Sequence, residues 1–456
     1  MATKKTEHSG IPFSALKISE PLLKVLDEKA YSLATPVQKR LIPVLLGGSN
    51  VIVSAQTGSG KTLAFLLPVL EKIYAAGEVK HHYPKVFVLS PTKELAQQIY
   101  EVAKPFAAAV DLRAVLLQGG GRRTAETTRL KSGADIVVAT PQRALEHIEA
   151  RHIDIRSIQH FIVDEADMMF DMGFVGYLEK IFEKMSPRSQ KIIVSATITP
   201  RVVKLAKTYI KPLTRIELDP PGKIADTITQ MLYPVVRSKK EALLAWLISS
   251  NHFEKVLLFV RKKELADGVA AYLREWNYKV GILHGERSHQ ERKKSLNAFR
   301  TGDYQILVAT DIAARGLDIS DLDVVINYDI PHVKHDFIHR VGRTGRAGKE
   351  GIAITLVSPD ETEQLNDLQK VLGGKIKEVI LPEYAPKEAK ARGYFLSALR
   401  PKRKTASQRK RTETPGITQK GKKRKTTKRD GFKAFDAAKP KTDKRKDSRR
   451  GSRGKK

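Results

Sequence analysis

Two acidic side chains follow a short apolar run and could hold a metal ion. The run Phe161-Ile162-Val163 predicts the end of a buried parallel strand, and Asp164 and Glu165 come directly after it. Asp164 could bind Mg²⁺, partly through water, because this ion keeps much of its hydration shell. Glu165 could orient or deprotonate an attacking water molecule. Taken alone, the same pattern is also typical of a solvated acidic loop.

A glycine-rich loop about a hundred residues earlier favours the chemical interpretation. It follows a predicted strand over residues 51–54, precedes a leucine-rich helix, and comprises Ala55, Gln56, Thr57, Gly58, Ser59, Gly60, Lys61 and Thr62. This context is that of a P-loop, in which backbone N–H groups and the helix dipole bind phosphates. We expect Lys61 to contact the β- and γ-phosphates and Thr62 to bind Mg²⁺. Ala55 replaces the first glycine of the general pattern, a departure that the loop should tolerate.

Gln38 could read the base of the nucleotide. Thr35 and Pro36 supply a capping hydroxyl and a first-turn proline, and they predict the start of a helix that runs through Leu46. Gln38 then lies in the first helical turn. Its amide could pair with both the donor and the acceptor edge of adenine, whereas a glutamine at such a position is often simply solvated.

A series of arginines forms a second chemical constellation. Arg340, Arg343 and Arg346 recur every three residues, so that Arg343 and Arg346 could project in the same direction from a helical turn. Guanidinium groups are always charged and match phosphate oxygens. Inserted at a γ-phosphate from a second domain, they would act as arginine fingers, a device that raises rates by roughly 10³–10⁵. The alternative is a solvated basic helix, which Gly342 and Gly345 would weaken.

Two series of predicted strands position these residues. Each strand is followed by a polar or glycine-containing turn, which is typical of an α/β parallel sheet with function at the carboxyl ends of its strands. A polar segment interrupted by prolines, residues 211–229, separates the two series and predicts a linker. Besides those named above, the strands are predicted over residues 86–89, 112–117, 135–139 and 192–194, and then over 256–260, 280–283, 306–309, 324–327 and 352–357.

Composition narrows the possible classes of protein. The chain has 456 residues, of which 41% are hydrophobic and 29% charged, enough for two α/β domains and a tail. It has no cysteine, which excludes disulfides, thiolate metal sites and cysteine nucleophiles. With neither an apolar N-terminal region nor a run of about 20 apolar residues, we expect a cytoplasmic protein that contacts no membrane.

The net charge of +32 is concentrated near the C-terminus. Residues 386–456 contain 28 Lys and Arg against 6 Asp and Glu, which leaves a net charge of +10 for the other 385 residues. This asymmetry indicates a polyanionic partner such as nucleic acid. The tail has too few apolar residues to fold alone. Its Phe432 and Phe435 could stack on bases, or the tail could act as a nonspecific polycation.

In their order and spacing, these motifs resemble those of DEAD-box ATP-dependent RNA helicases of superfamily 2, over about residues 11–381. The resemblance implies two RecA-like domains, ATP and Mg²⁺ as cofactors, and RNA-stimulated ATP hydrolysis that unwinds short duplexes or remodels RNA–protein complexes. The short N-terminus and basic tail resemble those of bacterial members. We therefore expect residues 1–10 to be disordered, 11–210 and 230–385 to form the domains, 211–229 to link them, and 386–456 to be a disordered tail.

The resemblance also assigns roles to individual residues. Those expected to act in catalysis are Lys61, Glu165, Arg343 and Arg346. Those expected to bind ATP, in addition to residues 55–62, are Phe13, Gln38, Gly316 and Asp318. Those expected to couple hydrolysis to strand separation are Asp167, Ser195, Thr197 and His339. Those expected to bind RNA are Pro91, Thr92, Lys93, Gly119, Gly120, Thr140, Pro141, Arg143, Arg261, Arg292, Thr310, Asp311 and Arg315.

Three residues depart from the family pattern. Lys93 stands where arginine is usual, Gln142 stands where glycine is usual, and His289 replaces a glutamine three residues before Arg292, although the neighbouring Gln290 could partly substitute. These changes put in doubt the details of RNA contact and not the ATPase. We expect RNA to be held mainly through phosphates and 2′-hydroxyls, with little sequence preference.

The sequence leaves partners and competing functions open. Ribosomal particles and RNA-decay complexes are both possible partners, and we expect the core to be monomeric. A DNA-translocating helicase would share the architecture, but Gln38 and the tetrapeptide at residues 164–167 argue against it. A nucleotide-gated RNA clamp is a third interpretation, which the sequence does not separate from a helicase.

Overall fold

The computed structural model describes residues 10–55, 58–77, 83–120, 123–218, 224, 227–314, 319, 322–331, 333–345 and 349–390. Residues 391–456, which form most of the basic tail, and the first nine residues lie outside this part of the chain.

The N-terminal elements lead into the first sheet. The helix predicted after Thr35 is confirmed, because Thr35 and Gln38 form a capping box in which each side chain accepts a hydrogen bond from the backbone of the other. The elements are β1 (Ile11–Pro12), the 3₁₀ helix Phe13–Leu16, α1 (Glu20–Glu28), β2 (Leu33–Ala34), which pairs with β1, and α2 (Pro36–Leu46).

The first large sheet has seven parallel strands in the order β5-β6-β4-β7-β8-β3-β9. Both faces of this sheet are covered, which explains why its inner strands are continuous apolar runs rather than alternating ones. The strands are β3 (Val51–Ser54), β4 (Val86–Leu89), β5 (Ala114–Leu117), β6 (Ile136–Ala139), β7 (His160–Val163), β8 (Gln190–Ser195) and β9 (Thr214–Glu217).

Successive side chains of each strand enter two separate cores. Val51 and Val53 pack against α1 to α4 on one face, and Ile52 packs with the other helices on the opposite face, as the two-residue period of a strand requires. The helices are α3 (Lys61–Ala75), α4 (Lys93–Ala109), α5 (Arg123–Lys131), α6 (Pro141–Glu149), α7 (Ala166–Asp171), α8 (Val175–Lys184) and α9 (Pro200–Tyr209), with a 3₁₀ helix at Ile155–Ser157.

The second large sheet repeats this arrangement, in the order β12-β13-β11-β14-β15-β10-β16 and again with parallel pairs. The predicted fold class, α/β with two RecA-like parallel sheets, is confirmed. The strands are β10 (Ile228–Pro234), β11 (Val256–Val260), β12 (Val280–Leu283), β13 (Ile306–Thr310), β14 (Val324–Asn327), β15 (Gly351–Val357) and β16 (Lys377–Glu378).

Helices cover both faces of the second sheet. The first two contribute to the core on one face, whereas the next four pack on the other face. The helices are α10 (Lys240–Asn251), α11 (Lys263–Glu275), α12 (His289–Thr301), α13 (Asp311–Ala314), α14 (Lys334–Val341), α15 (Thr362–Leu372) and α16 (Lys387–Lys390), with 3₁₀ helices at Arg237–Lys239 and Pro359–Glu361.

Three secondary-structure elements lie at or across the predicted domain boundaries. Strand β9 lies inside the segment predicted as a linker and pairs with β3, and β10 already begins at Ile228. At the C-terminal end of the second domain, α16 lies beyond residue 385, the predicted limit of that domain. It packs against the domain, since Ala389 is buried against Ile380 and Ala385. Strand β9 and helix α16 are short and present few apolar side chains, which makes them hard to predict from the sequence. Ile216 is the buried residue of β9.

Among the described residues, no helix is both long and apolar enough to cross a membrane.

The second domain contains a buried ionic cluster at the start of α10. Lys240 donates to Glu361 Oε2 at 2.6 Å and to the carbonyl of Tyr328 at 2.6 Å, and its Nζ lies 3.5 Å from Asp329 Oδ1. Burial, the largest influence, would raise the pKa of Glu361, but Lys240 and hydrogen bonds from Ser358 outweigh it and hold this pKa below 4.5. The pair therefore stabilises the fold above about pH 4.5, and this contribution is lost as the pH falls further.

We predict that Lys240→Met lowers the free energy of unfolding by about 3–5 kcal/mol at pH 7, because it removes the buried cation that is hydrogen-bonded to Glu361. Lys239→Met, at the exposed neighbouring position, should change it by less than about 1 kcal/mol. Urea denaturation of both variants measures the difference. Equal losses would show that the cluster does not stabilise the domain.

Candidate functional site

Three adjacent strands bring the glycine loop and the acidic residues together. Strand β8 lies between β7 and β3, and the ends of these strands lead to Ser195, Asp164 and the glycine loop. Gly60, with a φ of 91°, precedes α3, which begins at Lys61. Lys61 Nζ lies 2.9 Å from Glu165 Oε1, and both side chains are buried. The predicted proximity of the loop lysine and the acidic strand end is therefore present in the structure.

The charges at this site are unequally compensated. Burial, the largest influence, would lower the pKa of Lys61, but the carboxylates of Glu165 and Asp164 outweigh it and leave this pKa raised. Burial raises the pKa of Asp164 to about 7, and the negative charge of Glu165 adds to this effect. Asp164 Oδ1 is buried and has no hydrogen-bond partner among the described residues. A carboxylate in this state is suited to a cation.

The residues present fit a magnesium ion held partly by other ligands. In the described part of the chain, no group of three His, Asp or Glu side chains is arranged to bind a metal. Mg²⁺ in nucleotide sites commonly takes one or two protein oxygens and completes its octahedron with water and phosphate. Asp164 at the end of β7 and Thr62 in the first turn of α3 would supply the protein oxygens.

Gln38 fixes the glycine loop. Its Nε2 donates to the carbonyl of Gly60 at 3.1 Å, and its Oε1 accepts from the Thr35 N–H at 2.9 Å. A Cβ atom at position 60 would lie 2.5 Å from Gln38 Nε2, so this close approach requires glycine. Each polar atom of the amide has capacity for a second hydrogen bond, and contact with adenine stays a prediction. Phe13 is buried in the core, and its contact with ATP also stays a prediction.

Asp167 joins the acidic strand end to β8. Its Oδ2 accepts from the backbone N–H and the hydroxyl of Thr197, at 2.9 and 2.8 Å. Ser195 Oγ accepts from the Asp167 N–H at 3.2 Å and donates to the Thr197 carbonyl at 2.7 Å. His339 Nε2, from the second domain, lies 3.9 Å from Asp167 Oδ2. The structure thus brings together the four residues predicted to couple hydrolysis to strand separation.

The electrostatics of Asp167 depend on the second domain. Burial, the largest influence, would raise the pKa of Asp167, but the positive potential of His339 and the hydrogen bonds from Thr197 hold it below its usual value. An ion pair also joins the two domains, with Arg292 of α12 3.0 Å from Glu94 of α4. The predicted RNA contact of Arg292 stays a prediction.

Arg340 of α14 joins this helix to the residues at the end of β14. Its guanidinium is buried and donates to Asp311 Oδ2 at 2.7 Å, to the Asp329 carbonyl at 2.7 Å and to Asn327 Oδ1 at 3.2 Å. Asp311, predicted to bind RNA, is thus committed to Arg340. Arg343 lies just beyond the end of α14 and is also buried, and its predicted role as an arginine finger stays a prediction.

Most residues predicted to bind RNA lie at the ends of three adjacent strands, β5, β6 and β4. Thr92 Oγ1 caps α4 by accepting from the Leu95 N–H at 3.2 Å. Lys93 reaches over the next loop, because a Cβ atom at Gly120 would lie 2.7 Å from its Nζ. Gly119, Thr140 and Pro141 follow β5 and β6 in the same way, and Thr310 ends β13 in the second sheet.

Two of the predicted RNA-binding arginines have internal partners instead. Arg143 is buried and donates to Glu126 Oε2 at 2.6 Å and to Glu146 Oε2 at 2.7 Å. The charge of Arg143 is thus compensated inside the domain, and its contact with RNA stays a prediction. Arg261 NH2 lies 3.7 Å from Glu361 and 4.0 Å from Asp329, which likewise draws it inward.

Two acidic residues that pair with predicted RNA-binding arginines were not identified from the sequence. They are Glu126, which pairs with Arg143, and Glu94, which pairs with Arg292. Glu126 and Leu130, one helical turn apart, are the buried residues of α5, and a charge on the apolar face of a helix is a signal that could have identified Glu126. For Glu94 the sequence offers no such signal. The predictions for Gln56, Thr57, Arg315, Gly316, Asp318 and Arg346 fall outside the described residues.

Fold and site together define a two-domain P-loop nucleotide-binding protein. The family model described as "DEAD/DEAH box helicase" matches residues 35–206, and that described as "Helicase conserved C-terminal domain" matches residues 238–348. ATP-dependent RNA helicase dbp3 of Neosartorya fischeri is 39% identical over 376 residues, covering 80% of this chain and 73% of that protein. The chain belongs to the DEAD-box ATP-dependent RNA helicase family, as its motifs predicted.

A longer relative and a solved structure with bound ligands also match this chain. ATP-dependent RNA helicase DDX42 of Gallus gallus is 36% identical over 368 residues, or 80% of this chain, but the chain spans only 39% of that protein. The structure of S. cerevisiae Dbp5 bound to RNA and ADP BeF3 matches with a TM-score of 0.72 at 28% identity, covering 81% of this chain and 95% of the chain in that structure. The structural match thus extends over both domains.

We predict that Gln38→Ala weakens ATP binding roughly tenfold, because it removes the buried hydrogen bond that holds the Gly60 carbonyl. Lys39→Ala, at the exposed next position of α2, is the matched control and should have little effect. Calorimetric titration with ATP and with GTP measures both variants. Equal losses for the two nucleotides would assign Gln38 to the loop alone, and a loss below twofold for both would contradict the prediction.

Proposed function

We propose that this chain is an RNA helicase whose ATP hydrolysis is stimulated by RNA and which unwinds short duplexes or remodels RNA–protein complexes. The observation that carries the proposal is the approach of His339 of the second domain to within 3.9 Å of Asp167, three residues after Asp164, the proposed magnesium ligand. It links the nucleotide site to the domain that would close over RNA. The family and the RNA-bound Dbp5 structure support this function.

Lys61 must change partner when ATP binds. In the structure its ammonium neutralises Glu165 at 2.9 Å, whereas a P-loop lysine binds the β- and γ-phosphates. Phosphate binding would therefore release the Glu165 carboxylate to orient or deprotonate the attacking water. When bound, Mg²⁺ would neutralise charge on the phosphate oxygens, with Asp164 and Thr62 as its protein ligands.

The second domain would complete the site. Arg340 is locked by Asp311 and the end of β14, so it fixes the turn that follows α14 and carries Arg343. From this turn the Arg343 guanidinium would stabilise the γ-phosphate in the transition state, with Arg346 as the second candidate. Domain closure would then couple hydrolysis to RNA through Asp167, Ser195 and Thr197.

RNA would lie across the carboxyl ends of β4, β5 and β6. The loops there offer backbone N–H groups, hydroxyls and the Lys93 ammonium, which suit phosphates rather than base edges. Little sequence preference is therefore expected. We also propose that residues 11–218 and 227–390 are the two folded domains, because the first range ends just after β9 and the second includes β10 and α16.

We predict that Glu165→Gln lowers the turnover number for ATP by about 10²–10⁴, because the amide cannot accept a proton from water. ATP binding and a long-lived RNA complex should persist. Glu179→Gln, exposed on α8, is the control. Phosphate release and RNA residence time, measured on both variants, decide the assignment. Unchanged turnover in Glu165→Gln would defeat it.

We predict that truncation after Lys390 weakens RNA binding and flattens its dependence on salt. The removed residues contain 26 Lys and Arg against 5 Asp and Glu, and each lost phosphate contact reduces the log–log slope by about 0.7 on single strands. Cutting after Lys390 keeps the packed Ala389. A chain with a Gly-Ser tail of equal length controls for length. An unchanged slope would show that the tail does not touch RNA.

A further inference from the structure

Glu126 is a buried carboxylate that the proposed reaction does not use. Its side chain is 2% exposed. Glu126 Oε1 accepts from the backbone N–H of Gln118 at 3.0 Å, and Oε2 accepts from Arg143 Nε at 2.6 Å and lies 3.0 Å from His147 Nε2. We call Glu126, Arg143 and His147 the Glu126 cluster. The Glu126 carboxylate is thus contacted by three groups, the Gln118 N–H, the Arg143 guanidinium and the His147 ring.

The Glu126 cluster joins two segments that the sequence assigns to RNA. Gln118 directly precedes Gly119 and Gly120 at the end of β5, and Arg143 lies in the first turn of α6, which follows Thr140 at the end of β6. The two strands are neighbours in the sheet. Glu126 is therefore placed to set the distance between the two loops.

The hydrogen bonds of the cluster are complementary. A nitrogen that faces a carboxylate must donate, so His147 carries its proton on Nε2. In neutral His147, Nδ1 then accepts from His152 Nδ1, which lies 3.0 Å away. Arg143 uses a second arm to donate to Glu146 Oε2 at 2.7 Å. Because the partners around Glu126 are satisfied, its carboxylate has little freedom to move.

The turn at residues 118–120, which Glu126 holds through the Gln118 N–H, must be placed accurately to bind a phosphate. Gly120 is exposed and has a φ of 92°, and a Cβ atom built on it would lie 2.7 Å from Lys93 Nζ. The turn therefore presents bare backbone beside an ammonium group. Such a surface suits a phosphate only if the backbone is held in place, since misplacement by about 1 Å weakens positioned contacts strongly.

We propose that Glu126 is a positioning residue for RNA binding. It acts through the Gln118 N–H and Arg143, fixing residues 118–120 against the start of α6 so that the two loops meet neighbouring phosphates of one strand. The proposal rests on the proposed function and names a determinant of its RNA site. Glu126 itself does not touch RNA.

The test compares two carboxylates that share Arg143. Glu126→Gln keeps the size of the side chain but has only one acceptor oxygen. When that oxygen accepts from Arg143 and His147, the NH2 group faces the Gln118 N–H and cannot accept from it, so that Gln118 is no longer held. Glu146→Gln also removes a partner of Arg143 but leaves the bond to Gln118 intact. In an ATPase titration with poly-uridine, we expect Glu126→Gln to raise the KM for RNA about tenfold with kcat and the KM for ATP unchanged. Glu146→Gln should stay within twofold of the wild type.

Amide hydrogen exchange supplies a readout that does not depend on activity. Residues 118–120 should exchange at least about tenfold faster in Glu126→Gln than in the wild type, while the rest of the domain keeps its rates. If Glu126→Gln denatures at the assay temperature, Glu126→Asp, which draws the carboxylate back while keeping its charge, takes its place with the same expectation.

The possible failures can be told apart. A wild-type chain whose ATPase does not respond to poly-uridine would overturn the proposed function. If the wild type does respond, an equal KM for RNA in the Glu126 and Glu146 variants would overturn the positioning role alone. Unchanged exchange at residues 118–120 would overturn it as well.

Discussion

The structure depends on how buried negative charge is compensated beyond the end of β7. Asp164, Glu165 and Asp167 are all buried, and a buried carboxylate requires a cation or several hydrogen bonds. Lys61 neutralises Glu165 and Thr197 bonds to Asp167, whereas Asp164 Oδ1 has no partner within the described residues. A cation bound at Asp164 would remove this inequality. The need to compensate these charges also explains why β3, which leads to the P-loop, β7, which leads to the acidic residues, and β8 lie side by side in the sheet.

The same constraint connects the two domains. His339 contributes to keeping the pKa of Asp167 low from a distance of 3.9 Å, so the charge state of the first domain depends on a residue of the second. Glu94 and Arg292 add an ion pair at 3.0 Å. Because partly buried pairs are weakly screened by salt, these contacts favour the observed arrangement of the two domains. Coupling between ATP and RNA then requires only that each ligand favour this arrangement.

The sequence predicts best what depends on local pattern. Strands buried on both faces give continuous apolar runs, and the capping box of Thr35 and Gln38 gives the start of α2. Strand β9 was missed because only Ile216 of its four residues faces the core. Side-chain partners were harder to predict, since the pairing of Arg143 with Glu126 joins two helices that only the folded sheet brings together. The family pattern assigned Arg143 to RNA but did not indicate its internal partner Glu126.

A structure of the chain bound to ADP, beryllium fluoride and oligo-uridine tests the central claim most directly. We expect Lys61 Nζ to have left Glu165 for the phosphates, and the Arg343 guanidinium to lie within hydrogen-bond distance of the fluoride that stands for the γ-phosphate. If Lys61 remains paired with Glu165 and Arg343 points away while RNA is bound, the two domains do not form one catalytic site and the account is wrong.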